Sequence, residues 1–381
     1  MGKTASKART VLPQHKRPRV RVVDLFCGAG GLSLGLQRAG LEIAAGCDLD
    51  PACQYPYERN VKAPFHRRDV AELTAAELRA WFDQADIRVL AACAPCQPFS
   101  GYVVGRYGAD QRWKLLREVE RLVASVLPEI VTVENVSRLA LRPMWSAFIS
   151  KLEGLGYMTD HAVVDCAAYG VPQSRKRLIM LASRVGAISV PSPSAGAAPT
   201  VREAISHLPG VGAGTASDDD HLQSARALTP TNIARIRASR PGGTWKEWEP
   251  AMRARCHRAK TGKTYASVYG RMEWDKPSPT ITTQFYGFGN GRFGHPDQDR
   301  ALTLREGALL QTFPPEFEFA PATDRTNFRQ IGKLIGNAVP VNLGIHIGVE
   351  IANHIARVHN GARKKRRSVK KRSTAAKMAS T

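Results

Sequence analysis

Residues 21–50, RVVDLFCGAGGLSLGLQRAGLEIAAGCDLD, constrain the fold more than any other stretch. Arg21–Phe26 is a short β-branched and apolar run that reads as a strand. It ends in Cys-Gly-Ala-Gly-Gly, where glycines let the backbone turn tightly and present N–H groups at a helix start. GLSLGLQRAG reads as a helix closed by Gly40, and LEIAAGCDLD as a second strand ending in acids. Strand, glycine loop, helix and acid-tipped strand, in that order, open a doubly wound α/β sheet of the Rossmann-like kind.

Further strands are expected at Ile87–Ala92, Glu129–Val133 and Leu178–Ala182, with helices at Trp113–Leu127 and Met144–Leu155. This alternation predicts a parallel sheet with helices on both faces. The texture changes near Val185, where VGAISVPSPSAGAAPT reads as a linker. Residues 186–300 lack the alternation and carry Trp245, Trp248, Trp274 and the Gly-rich, aromatic QFYGFGNGRFGHP. Helical periodicity returns at Leu302–Leu310 and after Ile331. The expected organisation is therefore discontinuous. A large domain of 23–185 plus 301–360 is interrupted by a small inserted domain at 186–300 and flanked by basic tails at 1–22 and 361–381.

The chain of 381 residues has a net charge of +22, and the tails hold much of it. Residues 1–22 carry seven Lys/Arg and residues 361–381 carry nine, neither with an acid, leaving 39 bases against 33 acids in the body. Such tails read as disordered segments that attract a polyanion, nucleic acid before others. Seven scattered cysteines argue against a disulfide framework and for a reducing compartment. The N-terminus has no apolar segment of the secretory kind, and the apolar runs fall short of the roughly eighteen residues a membrane span needs.

Several residues carry candidate chemistry. In DLFCGAGG (Asp24–Gly31), Gly28 and Gly30 suit close approach to a ligand, but Ser33 stands where the pyrophosphate pattern wants a third glycine. That favours an adenosine ligand without a pyrophosphate; the plain alternative is a tight βα turn. Asp48, twenty residues on, is placed for ribose hydroxyls. Asp69, in RRDV, reads either as an acceptor for an adenine amine or as a helix-capping acid. Cys93 and Cys96 form a Cys-x-x-Cys, but no matching ligand pair exists elsewhere for a structural zinc. Prolines flank Cys96 on both sides, which suits a pinned nucleophile, and Gly101, Gly105 and Gly108 would let the next loop close. Glu134-Asn135-Val136 ends an apolar strand. Strand-end logic brings Cys96, Glu134, Asp48 and the glycines to one crevice. Arg175 and Arg177, two apart on a strand, could grip a phosphate or a base carbonyl, or simply form a solvated face.

Together these motifs resemble the cytosine-C5 DNA methyltransferases, bacterial ones above all. DLFCGAGG is similar to that family's cofactor loop, CDLD to its ribose site, PCQPFS to its nucleophile motif and ENV to its acid motif. QSRKR, RALTLREGALLQTFP and GNAVPVNLG follow in family order. The resemblance covers about 21–185 and 271–350, and 186–300 sits where the family carries its target-recognition domain. It implies methyl transfer from S-adenosyl-L-methionine, leaving S-adenosyl-L-homocysteine, to C5 of a cytosine flipped out of duplex DNA through a covalent Cys96–C6 adduct. Cys96 would be the nucleophile and Glu134 the group at N3, with Arg175 and Arg177 beside the base. Phe26, Gly28, Gly30, Gly31, Asp48, Leu49, Asp69, Val70, Asn337 and Val339 would hold the cofactor. Gln97, Ser100, Arg271, Thr280 and Thr283 are candidates for substrate and DNA contact, and no metal is implied. Leu49 stands where the family often has an aromatic, and Cys93 replaces the usual residue of a Gly-Phe pair, so it is expected to be dispensable for the chemistry. A monomer in the bacterial cytoplasm at the nucleoid is implied, with room for a cognate restriction endonuclease. The competing readings are the same chemistry on tRNA, a non-catalytic DNA-binding regulator, and a redox or zinc protein built on Cys93 and Cys96.

Overall fold

The computed structural model describes residues 18–95, 114–258 and 265–378. Its centre is a seven-stranded sheet. The strands are β1 (Val20–Leu25), β2 (Glu42–Asp48), β3 (Phe65–Arg67), β4 (Ile87–Ala92), β5 (Ile130–Val136), β6 (Met158–Asp165) and β7 (Lys176–Ser183), in spatial order β3-β2-β1-β4-β5-β7-β6. Strands β1 to β5 pair in parallel. The sequence predicted a parallel sheet throughout, and here the structure differs. β7 runs antiparallel to β5, and β6 forms an antiparallel hairpin with β7. Only ten residues separate Asp165 from Lys176, and a parallel connection needs a crossover of a dozen or more.

Helices α1 (Gly31–Arg38), α2 (Gln54–Val61), α3 (Ala75–Phe82), α4 (Lys114–Val126) and α5 (Pro143–Gly154) alternate with the strands. Alternate side chains divide each central strand between two cores. Val22, Val89, Ala91 and Ile130 face a core completed by α1 and the C-terminal helices. Val23, Leu25, Leu90, Ala92, Val131 and Val133 face a core with α3, α4 and α5, where Phe82, Val119, Leu122, Phe148 and Leu152 are sealed from solvent. The chain passes from β1 to β2 on one side and to β4 on the other, so a crevice opens beyond the carboxyl ends of β1 and β4.

The insert holds α6 (Val201–Ile205), α7 (Pro230–Arg237) and α8 (Arg255–Arg258) in otherwise irregular chain. A small core of its own gathers Ile236, Trp245, Trp248 and Phe288 with Ala301. Ile188, Val201, Ile205 and Leu222 instead join the large core. The chain returns through α9 (Leu304–Leu310), α10 (Phe328–Asn337) and α11 (Val341–Met378). Under α9 lies a sealed ion pair. Arg300 donates to both oxygens of Glu306 at 2.8 and 2.7 Å, and Thr303 caps the helix through the Glu306 backbone amide.

The last helix docks on the first. Val341, Leu343, Ile347, Ile351 and Ile355 of α11 are buried, and the contact with α1 is backbone against backbone. A β-carbon on Gly35 would stand 2.5 Å from the Val341 carbonyl oxygen and 2.6 Å from the Gly344 α-carbon. Within Phe328–Gly361 an 18-residue window is apolar enough to resemble a membrane span, but 61% of that window is buried inside the protein. α11 continues to Met378. The second basic segment is therefore helical as far as that residue, rather than the disordered tail expected from its charge. Ala, Lys and Arg propagate a helix well once a docked turn has nucleated it.

Candidate active site

One cavity of about 730 Å³ occupies the crevice. At one end the β1–α1 loop turns through Phe26 (φ 60°) and Gly28 (φ 54°), both left-handed. A left-handed conformation strains Phe26 and suits Gly28. A side chain on Gly28 would meet nothing within 4 Å, so its backbone borders open cavity. Asp48, at the tip of β2, accepts from the Gly28 amide at 3.0 Å and from the Asp50 amide at 3.0 Å. Its carboxylate thus fixes the loop and still fronts the cavity. Lys333 of α10 reaches across the mouth to Asp50 at 2.7 Å. Asn337 and Val339 close the floor, with the Val339 carbonyl directly over Gly31.

Beneath the loop, Asp24 is fully buried. Its Oδ2 accepts from Ser33 at 2.6 Å, Ser33 meets Tyr57 at 2.9 Å, and Oδ1 has no partner. Burial raises the Asp24 carboxyl to about 7, against the Ser33 hydrogen bond and with help from Asp48.

The other end is built on β4, β5 and β7. Glu134 is 3% exposed and forms an ion pair with Arg177 at 2.9 Å through Oε1. The Cys93 thiol donates to its Oε2 at 2.8 Å. Burial and then Glu134 push the Cys93 thiol well up, so it stays S–H at neutral pH. Asn135 donates to the Ala94 carbonyl at 3.0 Å, and Cys93 N–H donates to Leu25, extending the β1–β4 ladder past the strand end. Ala94 and Pro95 then lead along the cavity wall. Cys96, Gln97, Ser100 and the glycines that follow lie outside the described residues.

Arg175 is 3% exposed. It donates to the Ile281 carbonyl at 2.8 Å and the Gly336 carbonyl at 3.1 Å, tying β7 to the returning chain. Burial, then Arg177, lower it to about 9. Gln173 beside it donates to Leu310 and Gln311 and accepts from the Ile281 amide. Thr280 donates to the Ser174 carbonyl, and both Thr280 and Thr283 line the cavity.

The structure thus gathers Phe26, Gly28, Asp48, Glu134, Arg175, Arg177, Thr280, Thr283, Asn337 and Val339 around one space. Gly30 and Gly31 stand behind the loop, against Val61 and Val339. Leu49 is 59% exposed beside Asp48, Asp69 accepts from the Ala71 amide as a turn cap, and Val70 is buried under α3 and α4. Arg271 is a correction. The sequence reading put it near the substrate, but its guanidinium is buried in the insert, donating to Ile236, Ser239, His295 and Gln298 carbonyls and to Asp299. Its hydrogen-bonding capacity is used within the domain. The reading missed Cys93 as a partner of Glu134, and also Asp24, Lys333 and Asn135 at the wall. Among the described residues, no group of three or more His, Cys, Asp or Glu is placed to hold a metal.

A carboxylate-tipped glycine loop facing a buried Glu–Arg pair across a cavity of this size defines an α/β enzyme that holds a nucleoside cofactor against a second, polar reactant. Comparison with known proteins narrows the class. The family model for C-5 cytosine-specific DNA methylase matches residues 20–353, and the chain belongs to that family. The Type II methylase M.HgiDII of Herpetosiphon aurantiacus is 43% identical over 347 residues, spanning 90% of this chain and 98% of that relative. The Type II methyltransferase M1.BsuMI of Bacillus subtilis is 33% identical over 346 residues, spanning 85% and 78%. A solved Escherichia coli structure described as a prophage-encoded DNA modification methyltransferase superposes with a TM-score of 0.67 at 21% identity, covering 88% of this chain and 99% of that one, a likeness of fold. The fold is that of the C5 methyltransferases, and the chain is a DNA cytosine-C5 methyltransferase.

Proposed function

We propose that the protein methylates C5 of a cytosine within one short duplex DNA sequence, as the methylase of a Type II modification system. The observation that carries this reading is the single cavity with a glycine loop and Asp48 at one end and Glu134 with Arg177 at the other. S-adenosyl-L-methionine supplies the electrophilic methyl group when bound. The chain's residues fit it: Asp48 offers carboxylate lone pairs to ribose hydroxyls, Gly28 leaves room beside the backbone, and Phe26 and Val339 offer apolar contact. Leu49 and Asp69 would meet the adenine.

The remaining steps belong to the chain. The target base sits inside the duplex and must turn out into the cavity. Cys96 would be fixed by Pro95 before it and Pro98 after it, and its thiolate would add to C6. Glu134, aligned by Arg177, would carry a proton in its carboxyl form and donate it to N3 as negative charge develops on the ring. After C5 is alkylated, its proton leaves to a base and the thiolate departs from C6, regenerating the enzyme. Arg175, tied to the Ile281, Gly336 and Ala338 carbonyls, would act as scaffold. Gln97, Ser100, Thr280 and Thr283 would meet the base or its strand. We take the working form as a monomer on nucleoid DNA in the cytoplasm, with a cognate restriction endonuclease as its genetic companion.

The test is base-resolution mapping of 5-methylcytosine in a host that lacks cytosine methylation. Expression should mark one short motif, and Cys96→Ser should leave no mark. Methylation of tRNA alone would overturn the DNA assignment.

A further inference from the structure

Glu134 carries two oxygens, and the chain holds each from a different side. Arg177 on β7 approaches Oε1 at 2.9 Å, and the Cys93 thiol beyond β4 donates to Oε2 at 2.8 Å. The final torsion of a glutamate side chain is broad and roughly two-fold, so a single partner leaves the carboxylate plane free to swing. Two partners on opposite oxygens fix the plane. Cys93 suits this work because its own backbone cannot drift. Its amide donates to Leu25 on β1, and the next carbonyl, of Ala94, accepts from Asn135. The charged and titratable groups around the carboxylate are Arg177 from β7, Asp24 from β1, and Cys166 and Arg175 from the β6–β7 connection. Among the described residues, Cys93 donates a hydrogen bond to Oε2, while Arg177 faces Oε1 as an ion pair without hydrogen-bond geometry.

Resting on the reading of Glu134 as the group that meets the target base, we propose that Cys93 is a positioning residue. It is the second hold on the Glu134 carboxylate, keeping that group aimed into the cavity before the base arrives. The Cys93 thiol does not take part in bond making. A thiol serves because it donates one weak hydrogen bond from an otherwise apolar wall: the incoming base edge can share or displace it more easily than a hydroxyl. The side chain packs against the large core on its other side.

Two measurements on the full-length protein test this. The first needs no activity. The S–H stretch of Cys93, isolated as the infrared difference between wild type and Cys93→Ser, should shift toward a weaker hydrogen bond in Glu134→Ala and stay put in Asp48→Asn. An S–H band unchanged by Glu134→Ala removes the contact and the proposal with it. The second is kinetic. Loss of one hydrogen bond and one fixed torsion predicts that Cys93→Ala lowers kcat about 3- to 10-fold while KM for DNA stays within about twofold. Cys93→Ser should recover most of the loss. In a Glu134→Gln background, Cys93→Ala should add less than about twofold. A full loss of activity in both Cys93 variants, or a KM effect alone, overturns the positioning role. If wild type marks no DNA, the functional reading has failed, while the infrared result still decides whether Cys93 holds Glu134.

Discussion

Substituting Gly35 by alanine should destabilise the protein, although alanine is the better helix former. The added β-carbon would lie 2.5 Å from the Val341 oxygen and 2.6 Å from two Gly344 backbone atoms. Ordinary carbon contacts sit at about 3.5–4.0 Å, so α1 and α11 must part by roughly 1 Å. Neither neighbour is a side chain able to rotate away. Overpacking of this kind costs about 1–3 kcal/mol, and rigid backbone on the far side places the cost near the upper end. The helix-propensity gain offsets about 1 kcal/mol. The net loss is about 2 kcal/mol. With a urea m-value of about 3 kcal/mol/M, the unfolding midpoint should fall by about 0.7 M. Gly361→Ala is the control, since nothing lies within 4 Å of its added carbon, and its midpoint should be no lower than wild type. Followed by circular dichroism in urea, a Gly35→Ala midpoint at or above wild type would refute the claim that these helices meet backbone to backbone.

Two further outcomes follow from buried charge. Asp24 titrates near 7 when folded and about 3.8 when unfolded, so the folded state binds the extra proton between those values. Stability from this group is complete below about pH 4 and is lost as pH rises through 7, by up to about 4 kcal/mol. Asp24→Asn carries no such proton, so its urea midpoint should gain on wild type from pH 5 to about pH 7 and level off by pH 8; a constant gap across pH 5 to 7 would contradict this. Separately, Arg300→Met strands Glu306, whose carboxyl Arg300 holds below the usual range despite burial. A loss of about 3–5 kcal/mol in urea unfolding is expected, partly recovered by adding Glu306→Gln.

How the sequence compares with the structure depends on the range of each signal. The β1 loop, Asp48 and Glu134 were legible because strand-end logic needs only short apolar runs and the residues that stop them. The domain boundary was less so: Val201 and Leu222 look like insert residues by texture, yet they fill the large core. β6 was missed because MTDHAVVD is a half-exposed edge strand that opens on three consecutive polar residues, Thr159-Asp160-His161, and shows no clean alternation to set it apart from a loop. Had it been seen, the short link to β7 would have revealed the hairpin. Arg271 was read, with Thr280 and Thr283, as a residue near the flipped base or its strand. Its partners are carbonyls and an aspartate up to 35 residues away, which no local pattern encodes. Cys93 and Glu134 are 41 residues apart, and their contact depends on β4 and β5 being neighbours in register.

The docking of α11 on α1 also has a consequence for synthesis on the ribosome. The glycine loop is complete at Gly31, but the carbonyl that roofs Gly31 belongs to Val339, 308 residues later. At about 5–20 residues per second, roughly 15–60 s separate the two. Throughout that interval the loop lacks its buttress and the cavity lacks its floor. A nascent chain that has not yet reached Val339 therefore exposes the strand tips without assembling the pocket, and competence to mark DNA waits for that residue.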